Sequence, residues 1–195
     1  MKKTVSLVLL ALLMSTFFSV AAVPSEWAAP WIATAKQATI ISGDYEAEWQ
    51  TPITREAFCE LAFNTLVALE KTPDVPETSP FSDTDNKAIA ALNNLGVILG
   101  KAEGVFAPAD LLTREEAATI LWRMADGLGC VAEDPSITLY SDHSDIASWA
   151  QSPVYVVYTL GIMQGTGTEF SPKANYTVEQ AVATMVRLYD VVPKE

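Results

Sequence analysis

A mainly all-α fold of three helix-loop-helix repeats is predicted by three observations on this 195-residue chain. Apolar residues recur at helical spacing in paired runs; a Thr suited to capping precedes each second run; and the whole pattern returns at a period of roughly 50–60 residues. No single unit could bury its apolar stripe alone. The simplest packing is therefore pseudo-threefold, with the three second helices forming a central bundle and the first helices outside.

The segment 1–22 stands apart. Met1-Lys2-Lys3, the apolar run Val5–Leu13 and the small residues Val20-Ala21-Ala22 have the form of a secretory signal peptide cleaved after Ala22, too short in its apolar part for a membrane span. A secreted chain with no transmembrane span after cleavage is expected. Its removal takes two of the 12 basic residues and none of the 24 acidic ones, moving the net charge from −12 to −14. Such a balance argues against nucleic acid as a partner and requires any anionic ligand to be held by a local cluster. With 50% hydrophobic and 18% charged residues, the remainder suits one globular unit with a real core.

The units span 23–70, 81–129 and 140–195. Each opens with a helix: Trp27 and Ile32 in the first, Ile89, Leu92 and Leu95 in the second, and Trp149, Val154, Val157 and Leu160 in the third fall on one helical face. Gly96 and Gly161 read as stop signals, and Gly100 and Gly165 mark a tight loop. A short extended segment carries an aromatic residue, Trp49, Phe106 or Phe170, into the second helix. There Thr113 with Glu116 and Thr177 with Gln180 fit capping boxes, whereas Thr54, followed by Ala57, keeps the cap alone. The stripes of the second helices are Phe58, Leu61, Ala62 and Leu66; Ala117, Ile120, Leu121, Met124 and Leu128; and Ala181, Met185, Leu188 and Val192. The Pro-rich stretch 71–80 and the segment 130–139 link the units.

Catalytic machinery is not legible. His143 stands alone in an Asp-rich turn, at no dyad or metal spacing from Cys59 or Cys130, and Asp83-Thr84-Asp85-Asn86 lacks the Gly and distal Glu of a calcium loop. No metal, no cofactor and no enzymatic activity are expected. Cys59, on an apolar helical face, reads as a small hydrophobe, with pairing to Cys130 the alternative in an oxidising compartment.

Several separated motifs recur in one order. They are Phe81-Ser82-Asp83 and Tyr140-Ser141-Asp142; Leu95-Gly96-Val97-Ile98-Leu99-Gly100 and Leu160-Gly161-Ile162-Met163-Gln164-Gly165; and Thr54-Arg55-Glu56 and Thr113-Arg114-Glu115. In these the chain resembles S-layer homology repeats over essentially all its mature length. The resemblance implies a three-pronged helical pseudo-trimer that attaches exported proteins to the cell wall, with grooves between repeats that bind an anionic, pyruvate-bearing secondary cell-wall polysaccharide. It also implies the ligand-binding positions: Arg55 and Arg114, Trp27 and Trp149, Asp83 and Asp142.

The residues themselves permit further readings. An Arg in a first helical turn opposes the helix dipole unless an anion sits there, but Arg55 and Arg114 could equally pair with Glu56 and Glu115. Trp27 and Trp149 could offer a face to a sugar or belong to the core, and Asp83 and Asp142 could cap turns. Val178 replaces the Arg in the third unit, Thr84 stands where the second unit's Trp would align, and the first unit has no Phe-Ser-Asp. At most two competent grooves are therefore expected, and a double Arg55→Ala, Arg114→Ala replacement should abolish binding in a folded protein. The alternative function is a decayed scaffold that docks another surface protein.

Overall fold

The computed structural model describes residues 22–132 and 140–193. The segment read as a signal peptide falls almost wholly outside these, as does most of the second linker. Six α-helices occur among the described residues: α1 (Ala29–Gln37), α2 (Arg55–Ala68), α3 (Lys87–Asn94), α4 (Arg114–Gly127), α5 (Ser148–Thr159) and α6 (Val178–Val191). Strand pairing among them is limited to isolated bridges. None of these helices is long and apolar enough to cross a membrane.

The capping chemistry follows the sequence. Thr113 and Thr177 accept from the amides of Glu116 and Gln180, whose side chains return a bond to the Thr amides. Thr54 accepts from Ala57 N without reciprocation. The caps fix where each second helix starts, and the stripes that follow are buried from Phe58 to Leu66, Ala117 to Met124 and Ala181 to Val192. Leu128 and Leu160 are only partly buried, Trp27 and Trp149 are exposed, and Leu95, expected on the buried face of α3, is 52% exposed. It is the C-cap, and Gly96 at φ +72° turns the chain away immediately after it.

The units are joined in a ring. α2 packs on α3, α4 on α5 and α6 on α1, so each second helix lies against the first helix of the next unit and the last closes on the first; α2 also packs on α6. A triangle of backbone hydrogen bonds stands where the second helices begin. Ile53 N donates to Tyr176 O (2.7 Å), Tyr176 N to Leu112 O (2.8 Å) and Leu112 N to Ile53 O (3.1 Å). All three residues are buried, so these bonds are formed away from water, where an unmade one would be expensive. These pairings fit the pseudo-threefold arrangement expected.

The helix starts extend the same pattern and correct one alignment. Arg55 N and Glu56 N donate to Asp110 O and Pro108 O, Arg114 N and Glu115 N to Ala174 O and Pro172 O, and Val178 N and Glu179 N to Thr51 O and Trp49 O. Trp49 therefore occupies the backbone register of Pro108 and Pro172. The sequence reading had matched it to Phe106 and Phe170, because an aromatic residue before a Pro looked equivalent; the two-residue shortening actually lies upstream of it.

Candidate functional site

Arg55 and Arg114 are both buried, and neither pairs with the neighbouring Glu. Arg55 Nε donates to Phe106 O (3.1 Å) and Nη2 to Leu99 O (3.1 Å); Arg114 Nε donates to Phe170 O (2.8 Å) and Nη2 to Gln164 O (2.9 Å). Each guanidinium also lies over the aromatic ring it bonds past, 4.5 Å from the Phe106 centroid and 5.0 Å from that of Phe170. Burial, the largest influence, holds the Arg114 guanidinium below its ordinary value, and the bonded carbonyls and rings stand in for lost water.

Asp83 and Asp142 grip the same peptides from the other side. The Asp83 carboxylate accepts from Phe106 N (2.9 Å) and Ala107 N (2.7 Å), and Asp142 from Phe170 N (2.9 Å) and Ser171 N (2.6 Å). Those two amide bonds hold the Asp83 carboxyl below the usual carboxylate range. Ala107 and Ser171 are non-glycine residues at φ +60° and +57°, a conformation that costs about 1 kcal/mol and needs such restraint. Both aspartates thus act as loop clamps.

The loops themselves require glycine where they close. A Cβ on Gly100 would lie 2.6 Å from Val105 O and 2.8 Å from the Phe81 ring, and one on Gly165 would strike Glu169 O and the Tyr140 ring.

A further set of residues carries the tryptophans into place. Glu115 accepts from Ala147 N (3.0 Å) at the start of α5 and pairs with Lys173, while Glu179 accepts from Ser25 N (3.0 Å) and Ser25 Oγ (2.9 Å) ahead of α1. In the first unit Glu56 accepts from Asn86 Nδ2 (3.0 Å), the N-cap of α3. The Glu two residues after each capping Thr therefore latches the following unit's first helix. Trp149 and Trp27 stand two residues beyond the latched amides and are 55% and 48% exposed, which removes them from the core. In the sequence Glu56 and Glu115 stand out only as candidate ion-pair partners. Their signal was present, since Thr-x-Glu is common to all three units.

Two grooves result. The first is lined by Arg55, Leu99, Ile120, Arg123 and Trp149 with Glu116, and the second by Arg114, Gln164, Thr184, Arg187 and Trp27 with Glu179, both glutamates being engaged in internal hydrogen bonds; the volumes are about 120 and 350 Å³. The second reaches the lower end of the range usual for small-ligand sites. Each takes its Arg from one unit, its wall from the second helix of the next and its Trp from the unit after that. Carrying this order round the ring, the remaining junction combines Val178, the Asn64 position of α2 and the Thr84 position ahead of α3. By that order Val178, Asn64 and Thr84 share one junction, whose unit also lacks the aspartate clamp.

Other candidates stay apart. His143 Nδ1 lies 2.9 Å from the Tyr155 hydroxyl. Cys59 and Cys130 are free, and burial pushes the Cys59 thiol up to about 12. Among the described residues no cluster of His, Cys, Asp or Glu is placed to hold a metal ion.

Comparison with known proteins agrees with the ring of repeats. The S-layer homology domain model matches residues 73–118 and 139–182. An endoglucanase of Bacillus sp. (strain KSM-635) is 30% identical over 171 residues, covering 84% of this chain and 18% of that protein. The S-layer protein sap of Bacillus anthracis is 29% identical over 133 residues, covering 66% of this chain and 15% of its own length. The chain thus spans less than a fifth of either relative, and the endoglucanase match carries no catalytic activity across. S-layer homology domains are cell-wall attachment modules, found in secreted proteins of the cell surface. With its helix-loop-helix units, their shared caps and the matched segments, the chain belongs to the S-layer homology domain proteins.

Proposed function

We propose that the chain is a non-enzymatic attachment module whose two complete grooves bind an anionic, pyruvylated secondary cell-wall polysaccharide without covalent linkage. The observation that carries this reading is that two grooves each combine a buried Arg, a second Arg and an exposed Trp, whereas the same order carried to the third junction brings only Val178, Asn64 and Thr84. Loss of the floor arginine, the wall arginine and the tryptophan at a single junction fits the loss of one groove as a unit.

In this reading Trp149 and Trp27 supply apolar faces for sugar rings, and the guanidinium edges of Arg55 and Arg114 that are not bonded to carbonyls form the groove floors. Asp83 and Asp142 contribute by holding the floor peptides at Phe106 and Phe170. The units 23–70, 81–129 and 140–195 act together, since each groove draws on all three.

The test is co-sedimentation of purified protein with pyruvylated cell-wall polymer and with the same polymer after mild-acid removal of its pyruvate ketals. Binding to the first and much weaker binding to the second is expected; absence of binding to the pyruvylated polymer would refute the reading. A second reading, docking of another surface protein, draws on the apolar wall that Ile98, Leu99 and Ile120 give the first groove. It predicts capture of a protein from envelope extract with indifference to the ketal.

A further inference from the structure

Arg55 and Arg114 spend most of their donors inside the protein, on the carbonyls of Leu99, Phe106, Gln164 and Phe170. A second pair of arginines does not. Arg123, well along α4, is half-buried in the wall of the first groove, and among the described residues it has no hydrogen bond, ion pair or ring contact. Desolvation alone bears on its ionisation, and Glu116, the carboxylate lining the same groove, is committed to the Thr113 cap. In a chain with 24 acidic residues, a half-buried guanidinium left without an acidic partner is unusual, because any nearby carboxylate would stabilise it.

Arg187 repeats the arrangement in α6. It lines the second groove with Trp27, and its only described partner is the Trp31 ring, 4.7 Å from the guanidinium carbon. A cation over an indole keeps its N–H edge free for an in-plane acceptor. Arg123 follows Thr113, and Arg187 follows Thr177, by the same ten residues that separate Asn64 from Thr54. Asn64, the neutral member, is the equivalent position of the unit whose junction carries Val178 in place of the floor arginine.

We propose that Arg123 and Arg187 carry the ligand-reading charge of the two grooves, each taking a carboxylate of the bound acidic sugar, while Arg55 and Arg114 serve chiefly as the rigid floor. The proposal rests on the reading of the grooves as acidic-glycan sites. It follows from division of labour: a guanidinium already committed to two carbonyls has few donors left for bidentate recognition, whereas Arg123 has its whole fork free. Trp149 and Trp27 would then stack the sugar ring while the neighbouring arginine fixes its carboxylate.

The experiment measures equilibrium binding of pyruvylated cell-wall polysaccharide, and of the same polymer stripped of its ketals, to wild type, to Arg123→Gln with Arg187→Gln, and to Arg123→Lys with Arg187→Lys. The Gln pair should weaken binding of the pyruvylated polymer at least about tenfold, leave binding of the stripped polymer unchanged, and the Lys pair should keep most of the affinity. Arg123→Gln alone removes no internal bond, so its melting temperature should equal that of wild type and its binding loss reports the first groove directly. Wild-type affinity in the Gln pair, or equal losses for both polymers, would overturn the assignment of the charge. A wild-type protein that does not distinguish the polymers would instead overturn the groove reading beneath it.

Discussion

Replacing Arg114 with Ala is expected to destabilise the protein by about 3 kcal/mol, through loss of two hydrogen bonds to buried or part-buried carbonyls and of the stem packed on Phe170. For a chain of this length that corresponds to a fall in melting temperature of roughly 10 °C by calorimetry. From sequence alone the double Arg55→Ala, Arg114→Ala replacement is expected to lose binding while remaining folded. Geometry reverses that, because the guanidinium is bonded to Gln164 and Phe170 of the next unit and holds the two together. Arg114→Lys should recover part of the loss, since an ammonium can reach one carbonyl but lacks the fork that spans both. A melting temperature unchanged in Arg114→Ala would show that the floor arginine is not structural.

Tyr176→Ala should have a still larger effect, a loss of about 3–5 kcal/mol. Tyr176 is wholly buried beside the backbone triangle, edge-on to Phe58 at 6.2 Å, with its hydroxyl bonded to Gln180 O (3.2 Å) and Thr184 Oγ1 (3.0 Å). Truncation opens a cavity at the buried backbone triangle that joins all three units, so no single unit can collapse into it. Tyr176→Phe keeps the ring and should cost only about 1 kcal/mol. Burial pushes the phenol up to about 12, above its ordinary value near 10. Because the folded value is raised, this contribution is complete below about pH 10 and is lost as pH rises from there towards 12. Denaturant titrations of wild type and Tyr176→Phe across that window check the sign: wild type should decline more steeply, since Tyr45, Tyr140 and Tyr155, also raised by burial, titrate in both.

The fold was legible because its determinants are local. Thr113-Glu116 and Thr177-Gln180 caps, the helical stripes and Gly96 and Gly161 each specify an element within a few residues, and three copies let each unit correct the others. The site was less legible for a different reason. Arg55 contacts Leu99 and Phe106, Glu115 latches Ala147, and Trp149 faces α4, so every groove is assembled from three units, and the order in which a ring closes is not written in any one of them. The sequence could show that Val178, Thr84 and the missing Phe-Ser-Asp were departures; it could not show that they converge. Arg123 and Arg187 were overlooked because their meaning is a lack of internal partners, which only coordinates reveal. Trp49 misled because a Trp before a Pro imitates Phe106 in composition while occupying Pro108's place in the backbone.

The central claim, that two junctions are binding grooves and the third is not, is tested most directly by calorimetric titration of the protein with a short pyruvylated fragment of the cell-wall polymer. The account predicts two sites per chain, falling to one on Arg123→Gln. Any other stoichiometry for the wild-type protein, three sites above all, would contradict it.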